Sequence, residues 1–180
     1  VKRFNPEAGI MRKFIAAAIA TLMLAVPLGA VAQAPAPSPP AAALPLPYGP
    51  GISMETAKQA LAAAEAEARK NNWTVAIAIV DSSGKLAAFS KMDNVQHASV
   101  DFAIAKAVTA NNFKRPTKAL QDRIAEGGVN LRLLGQPGIA PLEGGVPIIA
   151  DGKIIGAIGV SGVMSNQDAE IALAGAAAVK

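Results

Sequence analysis

The chain has 180 residues, a formal net charge of +4, no Cys and one His. A cysteine-free chain excludes disulfides, thiolate metal sites, iron–sulfur clusters and covalent c-type haem attachment, and a single His excludes a site built from several imidazoles of one chain. Apolar residues make up 52% and aromatic ones 4%, the composition of a globular domain rather than a disordered or collagen-like one.

Met11-Arg12-Lys13 leads into an apolar run from Phe14 to Val26, which stops at Pro27 and is followed by the small-x-small exit Ala32-Gln33-Ala34. This is the layout of a secretory signal peptide. Its run of 13 residues falls short of the roughly 20 that span a bilayer. Residues 1–34 are therefore expected to be a signal peptide, with 1–10 a segment upstream of the true start. The mature protein is expected to be periplasmic or secreted, with no stable membrane span. The leader holds four of the 17 basic residues and one of the 13 acidic ones, so the other 146 residues carry a net charge of only +1. No basic patch remains to argue for nucleic acid or an anionic membrane. Residues 35–50 contain seven prolines and no charge. They are expected to form an extended tether, ahead of a folded domain over 51–180.

Ser53 is a good N-cap, with Glu55 in the first turn where the helix dipole favours a carboxylate. Met54, Ala57, Leu61, Ala64 and Ala68 recur at helical spacing, and the helix is expected to end near Asn71-Asn72. Trp73 to Val80 is a dense apolar, β-branched run and predicts a buried strand. Asp81-Ser82-Ser83-Gly84 predicts a turn, and Lys85 to Met92 a returning strand. A second helix is expected from about Gln96 to Asn112, and a short third one from Thr117 to about Glu126, stopped by Gly127-Gly128. Residues 129–143 read as a loop punctuated by Pro137-Gly138. Val146–Ala150, Asp151-Gly152 and Lys153–Val160 form the second hairpin, since Asp-Gly between apolar runs is a strong two-residue turn signal. A final Ala-rich helix runs from Asn166 to Val179. Paired hairpins imply an antiparallel sheet carrying helices, an α+β fold.

Several blocks together resemble one family. They are Val75-Ala-Ile-Ala-Ile-Val-Asp81-Ser-Ser-Gly84, Lys91-Met92-Asp93-Asn94, Ala105-Lys106-Ala107-Val108-Thr109-Ala110, Arg115-Pro116-Thr117, Gly144-Gly145-Val146-Pro147-Ile148 and Ile155-Gly156-Ala157-Ile158-Gly159-Val160-Ser161-Gly162, with Asp168 in the last helix. Their order and spacing resemble the GlcG/HbpS family of haem-binding or haem-degrading domains, from about Ser53 to Lys180. The resemblance implies a profilin-like fold, large homo-oligomers and, in some relatives, haem. The function expected is an exported oligomeric protein that binds a small molecule, with haem the leading ligand. An enzyme acting on haem or a small oxidised metabolite is the alternative, and a structural or sensory module without its own ligand is a further one.

His97 is the one imidazole. It stands at the start of the second helix with Asp101 four residues on, so both share a face, where the carboxylate could orient the ring. With Cys absent and Tyr48 in the tether, His97 is the expected haem iron ligand. Lys106 and Thr109 lie in the family-like block and are taken with His97 as cofactor-binding candidates. Ala98, Phe102, Ala105 and Thr109 share a stripe that is expected to face the core, while His97 and Lys106 point to opposite sides of the helix. Gly144-Gly145 and Gly159…Gly162 read as turn and packing positions, or as the rim of a pocket where a flat ligand meets backbone. Asp81 and Asp93 read as turn formers, and Asp168 as a residue of the first turn of the last helix.

Overall fold

The computed structural model describes residues 45–179. The expected signal peptide and residues 35–44 of the expected tether lie outside the described residues. Four helices, one 3-10 segment and four strands follow in order: α1 (Met54–Lys70), β1 (Ala76–Asp81), β2 (Leu86–Lys91), α2 (Ala98–Phe113), α3 (Lys118–Ala125), the 3-10 segment Gly128–Gly135, β3 (Gly145–Ala150), β4 (Lys153–Ser161) and α4 (Ser165–Ala177). Ser53 caps α1 as expected, its hydroxyl accepting from the Thr56 N–H at 3.1 Å. The turn signals act through the groups that suggested them. Asp81 Oδ1 accepts from the Ser83 N–H at 2.8 Å and the Lys85 N–H at 3.0 Å, closing the first hairpin. Asp151 and Gly152 take φ of 49° and 68°, the left-handed pair that a tight hairpin turn requires. Residues 129–143, expected as a loop, begin with the 3-10 segment.

The hairpins join through β1 and β4 into one antiparallel sheet of order β2-β1-β4-β3. Alternation along β1 then sorts its side chains. Val75, Ile77 and Ile79 enter one buried cluster with Ala57, Ala60, Ala64, Ala68 and Ile171, which places α1 and α4 on that face. Ala76, Ala78 and Val80 enter the other, with Ala103, Ala107 and Ala110 of α2. Each fully buried Ile or Val of this core is worth about 1.5–3 kcal/mol relative to exposure. The result is the expected α+β, profilin-like fold, a sheet with helices on both faces.

Small residues set the helix–sheet distance. A Cβ at Gly159 would overlap the Ala103 carbonyl and the Ala107 amide, and one at Gly145 would overlap the Lys106 carbonyl. Of the glycines expected to serve either packing or a pocket rim, Gly145 and Gly159 thus receive the α2 backbone, while Gly162 lies against the Thr74 carbonyl. Close approach of this kind is a recurrent reason for Gly in a strand.

The end of the Pro-rich stretch is not a free tether. The Pro47 carbonyl accepts from the Ile154 N–H at 2.9 Å, and the Gly49 N–H donates to the Ile154 carbonyl at 2.8 Å. Tyr48 donates its hydroxyl to the Asn111 carbonyl at 2.8 Å, and the Lys114 ammonium stands 4.2 Å from its ring centre. Proline's lack of an N–H excludes a full ladder but leaves its carbonyl free to accept, so this segment docks along β4 through alternate residues. Among the described residues, no helix is long and apolar enough to cross a membrane.

Candidate functional site

The apolar stripe of α2 faces away from the sheet. Ala98, Asp101, Phe102 and Ala105 form one wall of a groove of about 400 Å³, and Ile139, Ala140, Pro141 and Leu142 form the other. The face that meets the sheet is instead Ser99, Ala103, Lys106, Ala107 and Ala110. This corrects the expectation for Ala98, Phe102 and Ala105; of the four residues expected to point to the core, Thr109 alone is buried. Alanines on two faces of α2 make the helix apolar nearly all round, so spacing alone does not tell which apolar face the sheet takes. Phe102 remains 45% exposed and Leu142 40%, leaving aromatic and aliphatic surface open along the groove. A groove of this size, mainly apolar with one polar group, has the character of a small-molecule site.

Thr109 lies at the far end of the stripe and is buried. Its hydroxyl accepts from the Ala140 N–H at 2.8 Å. Rather than bonding back to its own helix, Thr109 ties α2 to the opposite wall of the groove.

Lys106 is 2% exposed, not a surface or interface charge. Its Nζ donates to the Val160 carbonyl at 2.9 Å and to Asp168 Oδ2 at 2.7 Å. Asp168 Oδ1 accepts from the Val163 N–H at 3.2 Å. Burial pushes the Asp168 carboxyl above the usual carboxylate range, and the Lys106 ammonium and the Val163 N–H pull against that rise. Gly144 makes room for the ammonium, since a Cβ there would stand 2.8 Å from Nζ. Lys106 thus links α2 on one face of the sheet with α4 on the other, and its charge does not line the groove.

His97 immediately precedes α2 and is exposed. Among the described residues its ring has no hydrogen-bonded or ionic partner, so the expected pairing with Asp101 is absent from the structure. At helical spacing, His97 heads the row that continues through Asp101 and Ala105, both groove residues. The three candidates are therefore not brought together. His97 directly precedes the groove residue Ala98 but does not itself line the groove, Thr109 braces the groove's wall, and Lys106 is buried toward the sheet. The groove's other wall was missed in the sequence because residues 139–142 sit in a stretch without periodicity. The local signal was the apolar pair Ile139 and Leu142, directly after the Pro137-Gly138 turn.

The groove residues fit a tetrapyrrole by their chemistry. Phe102, Ile139, Pro141 and Leu142 offer apolar contact to a flat macrocycle, and the chain's one imidazole lies at the N-terminal end of the same helix row. Among the described residues there is no group of three or more His, Asp or Glu side chains able to hold a bare metal ion.

Comparison with known proteins agrees with this architecture. A family model described as haem-degrading protein HbpS-like matches residues 52–177. Protein GlcG of Escherichia coli (strain K12) is 41% identical over 93 residues, which is 52% of this chain and 68% of that protein. The crystal structure of a double mutant of HbpS from Streptomyces reticuli has a TM-score of 0.68 at 34% identity, covering 81% of this chain and 99% of that one. A crystal structure of a PduOC–haem complex has a TM-score of 0.67 at 30% identity, covering 72% of this chain and 96% of the other. With most of the chain matched and the same fold in both structures, the protein belongs to the HbpS-like haem-degrading protein family.

Proposed function

We propose that this chain is an exported, oligomeric protein that binds haem in the groove between α2 and residues 139–142. The observation that carries the reading is that groove, an apolar slot whose lining residue Ala98 directly follows the chain's one imidazole, His97. A homologous structure of known haem complex, PduOC, supports it. The signal-peptide layout of residues 1–34 supports export.

In this reading the chain does three things. Phe102, Ile139 and Leu142 desolvate the macrocycle, at about 25 cal/mol per Å² of apolar surface removed from water. Thr109 keeps the 139–142 wall in place through the Ala140 N–H. The His97 imidazole would be the residue to ligate the iron, and among the described residues it has no partner to give up. Bound haem would supply a redox-active iron, tuned by the residue that ligates it.

The test is His97→Ala in the mature protein, titrated with haem. A changed iron absorbance spectrum and weaker binding are expected. Loss of an exposed side chain should alter stability by no more than about 0.5 kcal/mol. An unchanged spectrum and affinity would remove His97 from the site. An absence of saturable haem binding in the unmodified protein would defeat the haem reading itself.

A further inference from the structure

A second cleft, sharing no lining residue with the groove, lies where the end of α2 meets α3 and the 3-10 segment. Arg115 follows α2, Arg123 lies in the last turn of α3, and Arg132 belongs to the 3-10 segment. All three line one cavity of about 220 Å³, together with Asn130, Leu120 and Leu133. Three arginines carried by three separate segments, all exposed, thus line one space too small for a drug-sized molecule.

None of the three forms an ion pair among the described residues. The acidic side chains beside Arg123 in sequence have other partners. Asp122 accepts from the Lys118 ammonium at 2.8 Å, and Glu126 accepts from the Asn130 amide at 3.1 Å. Arg115 donates one N–H, from Nε, to the Phe113 carbonyl at 2.9 Å. That bond anchors the near edge of its guanidinium and leaves the outer donors available. A guanidinium stays charged throughout the physiological range and has no acceptor, so the three cannot satisfy one another. Their mutual repulsion is relieved by an anion placed among them. Leu120, which is buried, and Leu133 give the cleft an apolar side, which strengthens charge-assisted hydrogen bonds made against it. Planar forks of this kind match the oxygens of phosphate and carboxylate groups.

We propose that this cleft binds a small oxyanion, a phosphate or dicarboxylate carrying at least two negative charges, through Arg115, Arg123 and Arg132. The site goes beyond haem binding and does not depend on it.

The test titrates the mature protein by calorimetry with inorganic phosphate and, separately, with succinate. Ionic strength is held constant with sodium chloride. Saturable binding of at least one anion is expected, and the two arms identify whether phosphate or carboxylate is preferred. Arg123→Gln and Arg132→Gln should each weaken that binding by roughly tenfold, the effect of losing a charge-assisted hydrogen bond. Lys58→Gln removes an exposed charge on α1, outside the cleft, and should leave it unchanged, with circular dichroism verifying that each variant is folded. No saturable binding of either anion overturns the proposal, and so does equal weakening by Lys58→Gln, which would reduce the effect to general charge. Because haem is absent from the assay, neither outcome bears on the groove.

Discussion

Lys106 shows how far a residue's role can lie from its neighbours in sequence. Asp168 is 62 positions away and on the other face of the sheet, yet the two side chains meet at 2.7 Å with both nearly inaccessible to water. Such a pair is weak grounds for net stability, because desolvation offsets much of the attraction. Breaking it is a different matter, since one charge is then left buried and unpaired. Lys106→Met should therefore destabilise the protein by about 3–5 kcal/mol. Adding Asp168→Asn to that variant should restore part of the loss, as the stranded charge is removed. Urea unfolding of the two single variants and the double variant closes the cycle. Strict additivity of the two substitutions would show that the ion pair is not coupled in solution.

At the scale of elements, α2 is the piece on which the site depends. The strand glycines let its backbone approach β3 and β4, so its sheet-facing row is fixed at Ala103, Lys106, Ala107 and Ala110, and the other apolar row is left to the groove. The opposite wall has no regular structure of its own over residues 139–142, and the Thr109 hydroxyl holds it at Ala140. Thr109→Val keeps the shape of the side chain but leaves the Ala140 N–H without its acceptor, at about 1–3 kcal/mol. It should speed hydrogen exchange at Ala140 and weaken haem binding without changing the iron spectrum, whereas Thr109→Ser should behave as the native protein. A spectral change on Thr109→Val would instead put this hydroxyl at the iron.

For the whole molecule, the arrangement of layers bears on the assembly that the resemblance implies. Strands β1 and β4 are apolar on both faces, and such strands need cover on both sides. The structure supplies that cover from the chain's own α1, α2 and α4, so the sheet does not call for a second copy. Outside the groove, apolar surface remains open on the 3-10 segment among other places, with Val129 70% exposed and Leu134 63%. The proposed oligomer now rests on that segment. Light scattering of the mature protein at micromolar concentration should give a multiple of the protomer mass, and Leu134→Lys combined with Val129→Lys should lower it. A monomer in the unsubstituted protein would defeat the proposal.

Much of the fold was legible in the chain because its signals are local. Apolar runs, helical spacing, and cap and turn signals located the four α-helices and four strands to within a few residues, Asp151-Gly152 set the second turn, and Ser53 set the start of α1. The blocks from Val75 to Gly162 pointed to the family. Read locally, however, α2 carries two apolar rows, and only packing against Gly145 and Gly159 selects the one that meets the sheet. The partnership of Lys106 with Asp168, the brace from Thr109 to Ala140 and the docking of Tyr48 on Asn111 all join residues at least 31 positions apart. Helical and strand periodicities describe which side chains share a face, but they do not say what that face meets. That was decided by the order β2-β1-β4-β3, which brings distant segments into contact and so makes the groove.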